Sequence, residues 1–214
     1  MQWYCSECTV SVHGVPPTVK SPSTYRRQQA AATKERIAGA ARKLFTGNGY
    51  GTTSIDAIAG EAGVAVRTVY SAFGTKREIL SFICEQWLER ARARERAGEV
   101  LAETDPVARL RAAAGWLRGL YEAGFDVVLI FDGAMDSGAE TRELLQAKLA
   151  GRNHVMDTMI ASLTGSLRVP LADAQATFRA FAASGVYREL VADHGWRPDR
   201  FEGWLADTLV AQLL

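Results

Sequence analysis

Between Ile55 and Phe73 the apolar positions follow a helical period twice, and the two runs are cut apart at Gly63. Ile55, Ile58, Ala59 and Ala62 mark one side of the first run, and Val66, Val69, Tyr70 and Phe73 one side of the second. Each run is about two turns long, too short to hold as an isolated helix. The small Ala59 permits a close crossing, and Gly63 permits the positive φ that a sharp turn requires. The pattern therefore predicts two short helices joined at an angle, with Ile58, Ala62, Val64 and Val69 in the contact between them. Arg67, Thr68 and Ser71 are left facing outward on the second helix.

The flanks supply what such a pair must pack against. Upstream, Ile37, Ala40, Ala41, Leu44 and Phe45 form an apolar stripe that predicts a helix from Ala30, stopped by Gly47 and Gly49. Thr53 with Asp56 predicts the cap of the second helix. Thr75 with Glu78 predicts a capping box for a fourth, carrying Ile79, Phe82, Ile83 and Trp87 and running to about Gly98. Residues 1–29, with Pro16, Pro17 and Pro22 and no sustained period, read as a flexible arm.

Everything after Gly98 also reads as helix. Asp105-Pro106 pairs a cap with a first helical position, opening a helix through Leu110, Leu117 and Leu120. Phe125 to Met135 predicts a separate buried helix, since a lone strand there would have no partner. Residues 140–164 predict a long helix, Pro170 starts another that runs to about Asp193, and Pro198 opens the last. The expected fold is all-α, with a helix-turn-helix domain over 30–78 and a helical bundle over 79–214.

Composition narrows the function. Ten basic residues against four acidic ones lie between Lys20 and Glu78, while the whole chain carries a net charge of +1. The N-terminal part alone thus suits a polyanion, although a solvated charged face would carry the same sign. No apolar run reaches membrane length, and the first residues lack the pattern of a signal peptide. Three cysteines form no disulfide framework, which favours a reducing cytoplasm. Cys5-x-x-Cys8 with His13 has no second ligand pair, so no metal or other cofactor is expected. With His13, His154 and His194 as the only histidines, and no phosphate-binding glycine loop or nucleophile elbow, an enzyme is not expected.

A major groove of double-stranded DNA accepts one α-helix and is read by side chains of that helix's first turns. The run RIAGAARKLFTGNGYGTTSIDAIAGEAGVAVRTVYSAFGTKREIL, residues 36–80, resembles the DNA-binding domain of the TetR family of bacterial transcriptional regulators. The resemblance rests on Ile37, Ala40-Ala41, Leu44-Phe45, Gly49-Tyr50, Thr52-Thr53, Ile58-Ala59, Ala62-Gly63-Val64, Thr68-Val69-Tyr70, Phe73, Lys76 and Leu80. It implies that Thr53 and Lys76 touch phosphates, that the Tyr70 hydroxyl reaches the backbone, and that Val66, Arg67 and Thr68, flanked by Ser71, face the bases. Ala65 stands where such regulators carry a polar residue, and Ser71-Ala72 where they carry a bulkier pair. Arg26, Arg27 and Lys34 belong either to an arm that enters a minor groove or to a solubilising tail.

The same resemblance implies a C-terminal bundle that binds a small effector and pairs two copies into a homodimer, as a ligand-released repressor on a palindromic operator requires. Trp87, Trp116, Tyr121, Phe125, Phe131, Met135, Met156 and Met159 are candidates to line a largely hydrophobic pocket, with Asp132 as a polar anchor and His154 either a second anchor or a surface residue. Phe178, Phe181, Ala182, Gly185, Phe201, Trp204, Leu205 and Leu209 exceed what one buried face needs and are candidates for the dimer interface. The alternative is a small-molecule-binding helical protein whose DNA-binding domain has weakened or become vestigial.

Overall fold

A computed structural model describes residues 22–214; the expected arm up to residue 21, with Cys5, Cys8 and His13, lies outside the described residues. The first helix, α1 (Pro22–Asn48), begins well before the expected start at Ala30. Residues 25–32 of it are all exposed and so carry no apolar stripe for a periodicity argument to find. Part of the expected flexible arm is therefore helix, sustained by good helix formers such as Ala30, Ala31 and Ala32.

Helices α2 (Ile55–Ala62) and α3 (Val66–Phe73) follow, joined through Gly63 at φ 63°, ψ 40°. This left-handed turn lets the Val64 amide donate to the Ala59 carbonyl at 3.0 Å and closes the end of α2. Ile37, Ala41 and Phe45 of α1, Ile58 and Ala59 of α2, Val69 of α3 and Leu80 of the next helix are buried together. Full burial of a side chain such as Ile58 stabilises by about 1.5–3 kcal/mol. The cap of α2 is Ser54, whose hydroxyl accepts from the Ala57 amide at 3.1 Å, and not Thr53 as expected.

α4 (Lys76–Arg90) starts on the expected Thr75–Glu78 capping box. It stops earlier than expected, because Arg92 takes a left-handed φ of 50° that breaks the chain into α4 and α5 (Ala93–Ala102). α4 touches α1 and α3 as well as α5, α6 and α7, so it ties the helix-turn-helix to the helices that follow.

α6 (Pro106–Ala134) opens on Asp105 as expected and runs through the middle of the bundle. Phe125–Met135, expected to be a separate helix, is the second half of α6, offset by non-helical torsions at Gly124. α7 (Ala139–Ala161), α8 (Leu171–Phe181), the short α9 (Ser184–Tyr187) and α10 (Pro198–Leu213) complete the bundle. The expected single helix from Pro170 to Asp193 is broken after Phe181, and Arg188–Asp193 forms one wide π turn. Among the described residues there is no strand, and no helix is long and apolar enough to cross a membrane.

Candidate nucleic-acid interface

The helix-turn-helix buries one side of α3 and frees the other. Val69 and Phe73 face the core, whereas Arg67, Tyr70 and Ser71 are exposed, Tyr70 by 53%. Val66 and Thr68 are half-buried beside them. Arg67 forms no ion pair among the described residues, so its guanidinium is available to an outside acceptor. Ala65 provides no side-chain cap for α3, and the first amides of that helix are left without a side-chain acceptor.

Two expected phosphate contacts turn inward. Thr53 is buried, and its hydroxyl donates to the Gly49 carbonyl at 2.8 Å, tying the α1–α2 loop together. The Lys76 ammonium donates to the carbonyls of Tyr50 at 2.7 Å and Thr53 at 2.9 Å, and lies 4.4 Å from the centre of the Tyr50 ring. Burial holds its pKa below the ordinary lysine value. With its donors spent on this loop, Lys76 braces the start of α2 against α4. Tyr50 is buried and packs on Phe45 at 5.0 Å.

Exposed cations of α1 add positive charge to the domain, one of them beside α3. Arg26, Arg27, Lys34, Arg36 and Lys43 are all exposed, and the Lys34 ammonium stands 5.3 Å over the Phe73 ring at the end of α3. Lys43 pairs with Glu61 at 2.6 Å, and Arg77 with Glu140 across to α7.

The domain is joined to the bundle at the break in α6. Arg42 of α1 makes a forked pair with Asp126, both bonds at 2.5 Å, which holds the Asp126 carboxyl below the usual carboxylate range. One turn away, the Trp87 indole donates to the Leu120 carbonyl at 2.7 Å. Gly124 lies so close to both that a Cβ there would sit 2.8 Å from the Trp87 ring and 3.1 Å from the Arg42 guanidinium.

Of the pocket candidates, Tyr121 and Phe125 meet at 5.5 Å, and both meet Tyr187 of α9, at 4.6 and 4.8 Å. Burial pushes the Tyr121 hydroxyl up to about 12, and that hydroxyl donates to the Ala182 carbonyl at 2.6 Å. Trp116 donates to the Ala93 carbonyl at 2.9 Å and lines a groove of about 310 Å³ between α5 and α6, which also holds Arg96, Glu99 and Arg118. Phe131, Met156 and Met159 are packed in the core, and Met135 is half-buried. Asp132 is not an anchor in an apolar cavity: it is exposed, accepts from Ser184 at 3.0 Å and pairs with Arg188 at 3.5 Å. His154 is exposed as well.

The dimer candidates separate in the same way. Phe178, Ala182, Phe201, Leu205 and Leu209 have no accessible surface within a single chain, so they form this subunit's own core and not an outer face. Phe181, Gly185 and Trp204 keep exposure, with Phe181 and Trp204 edge-on at 5.9 Å. Periodicity marks apolar faces but does not say which of two faces a neighbouring helix covers. Sequence reasoning missed the Arg42–Asp126 fork, Tyr187 and Arg152. For Arg152 a signal was present: it lies seven residues from both Leu145 and Met159 on the apolar stripe of α7.

An exposed reading helix on a cationic three-helix domain, joined to a larger helical bundle, defines the class of two-domain all-α DNA-binding regulators. Residues 37–81 match the family described as bacterial regulatory proteins, tetR family. The HTH-type transcriptional regulator HbdR of Aromatoleum sp. (strain CIB) is 30% identical over 132 residues, which cover 61% of this chain and 57% of that protein. The chain thus matches a little over half the length of that relative.

Solved structures share the whole fold at low identity. The fatty acid degradation regulator FadR from Bacillus halodurans aligns with a TM-score of 0.68 at 18% identity, over 83% of this chain and 94% of that one. The FadR of Bacillus subtilis in complex with stearoyl-CoA aligns with a TM-score of 0.67 at 18% identity, over 82% and 97%. A transcriptional regulator from Aquifex aeolicus VF5 aligns with a TM-score of 0.67 at 20% identity, over 84% and 98%.

Proposed function

We propose that the protein is a ligand-responsive transcriptional regulator, a repressor that grips a palindromic operator as a homodimer and is released by a small, largely hydrophobic effector. It acts in the cytoplasm and has no catalytic role. The observation that carries this reading is the exposed face of α3, where Arg67, Tyr70 and Ser71 are accessible, with Lys34 of α1 over Phe73 at the end of that helix. Arg67 reads a base edge, Val66 and Thr68 sit at the entry turn, and Tyr70 and Ser71 hold the backbone. Arg26 and Arg27, on the exposed start of α1, add to the field that draws DNA in.

The remaining outer surface of α8, α9 and α10, with Phe181, Gly185 and Trp204, serves the second copy. A regulator of similar fold, the FadR of Bacillus subtilis, was solved in complex with stearoyl-CoA, which supports an apolar effector here. Asp126 and Arg42, with Trp87 at the Gly124 break, connect that bundle to α1.

Selection from a pool of random duplexes tests the reading. Recovery of one sequence with two inverted half-sites, spaced about one helical turn apart, is the expected outcome. Retention of DNA with no sequence recovered, or no retention at low salt, would overturn it.

A further inference from the structure

Arg152 is half-buried, and its Nε is the one side-chain polar atom among the described residues that is closed from solvent with no hydrogen-bond partner. It lies in the middle of α7, on the stripe that buries Leu145, Met156 and Met159. The rest of the guanidinium meets its chain neighbour Asn153, at 3.2 Å, and the Tyr121 hydroxyl. The acids nearby are committed elsewhere: Asp132 to Arg188 and Ser184, and Asp157 to Arg179 at 2.7 Å. An N–H closed off from water with no acceptor is costly, because nothing in the chain replaces the hydrogen bond that water would give it.

Beside this cation begins a cluster of aromatic rings in the bundle. Arg152 stands beside the Tyr121 hydroxyl, whose proton is given to the Ala182 carbonyl and whose oxygen is left to accept from that guanidinium. Tyr121 opens the ring cluster with Phe125 and Tyr187, which continues to Phe201 at 4.9 Å from Tyr187. The chain around Tyr187 is the least regular of the bundle, with a break after Phe181 and a π turn at Arg188–Asp193. Such turns recur at sites where a helix must give way.

We propose that Arg152, oriented by Tyr121, is the anion anchor of the effector site and takes the carboxylate of a small apolar acid, whose hydrocarbon body lies against Phe125 and Tyr187. The planar fork of a guanidinium matches the two oxygens of a carboxylate, and the rings supply the apolar surface. This rests on the ligand-responsive reading and names its ligand class.

Calorimetric titration of the full chain with octanoate and 1-octanol, and with 4-phenylbutyrate and 4-phenylbutanol, tests it. At least one acid binds about tenfold or more tightly than its alcohol, the margin of a hydrogen bond to a charged group. Arg152→Met removes that preference and leaves alcohol binding and the melting temperature in place; Arg152→Lys keeps part of it. Equal binding of acid and alcohol, binding of neither, or a preference that survives Arg152→Met overturns the proposal. DNA release by neutral or cationic apolar molecules, in the absence of any acid preference, would remove the Arg152 anchor while keeping the ligand-responsive reading. Release by no compound of any charge would remove both.

Discussion

Replacing Trp87 with Phe removes one hydrogen bond at the joint between the two domains, and its cost follows from where that bond ends. The acceptor, the Leu120 carbonyl, stands four residues before Gly124, where the helical ladder of α6 is interrupted. Trp87 and Leu120 are both buried, so water does not replace the indole N–H. An acceptor left unpaired in that setting costs about 1–3 kcal/mol. The smaller ring leaves a void against Gly124 that adds about 1 kcal/mol more. A loss of about 2–4 kcal/mol lowers the melting temperature of a chain of this size by roughly 6–12 °C. Leu88→Ala is the control, since Leu88 lies on the same helix but is 37% exposed, and it shifts the midpoint by no more than about 2 °C. Thermal melts followed by circular dichroism at one fixed protein concentration measure both. A Trp87→Phe midpoint within about 2 °C of the wild type would refute the reasoning about the break in α6.

Cys84 is buried, and burial pushes its thiol up to about 11. In a Cys5→Ser/Cys8→Ser background it therefore resists iodoacetamide at about pH 8 while folded and reacts once urea unfolds the chain; prompt labelling of the folded protein would contradict its packing. Asp126 is held below its ordinary pKa by the Arg42 fork, so the pair contributes stability in full above the unfolded carboxylate value of about 3.9 and loses it as the pH falls through the lower folded value. Arg42→Met flattens the acid limb of the stability-against-pH curve in urea titrations, and identical acid limbs would show that the pair contributes nothing.

The DNA-binding domain was the more legible half of the sequence because each of its devices is local. Gly63, the Thr75–Glu78 box and the stripe from Ile37 to Phe45 act within a few residues, and the structure holds all three. Thr53 and Ser54 illustrate the limit even there: both residue types cap helices, and only the packing of the α1–α2 loop decides which one turns inward. In the bundle the decisive contacts are between helices. Asp126 finds Arg42 across 84 positions, and Tyr121 finds Ala182 across 61, separations that no window on the sequence spans. The same reason explains why Phe178 and Phe201 read as surplus apolar surface when they fill the middle of one subunit. The early turns of α1 were invisible for the opposite reason, since a helix exposed all round has no apolar period.

The central claim, that α3 reads DNA, is tested most directly by titrating wild type and Arg67→Ala against the selected duplex and a scrambled one of equal length at two salt concentrations. Arg67 is exposed and has no ion pair to lose among the described residues, so the substitution leaves folding intact. The account predicts a loss of about 1–3 kcal/mol on the selected duplex, little change on the scrambled one, and so a narrowed preference between them. An Arg67→Ala protein that keeps the wild-type affinity and preference on both duplexes would contradict it.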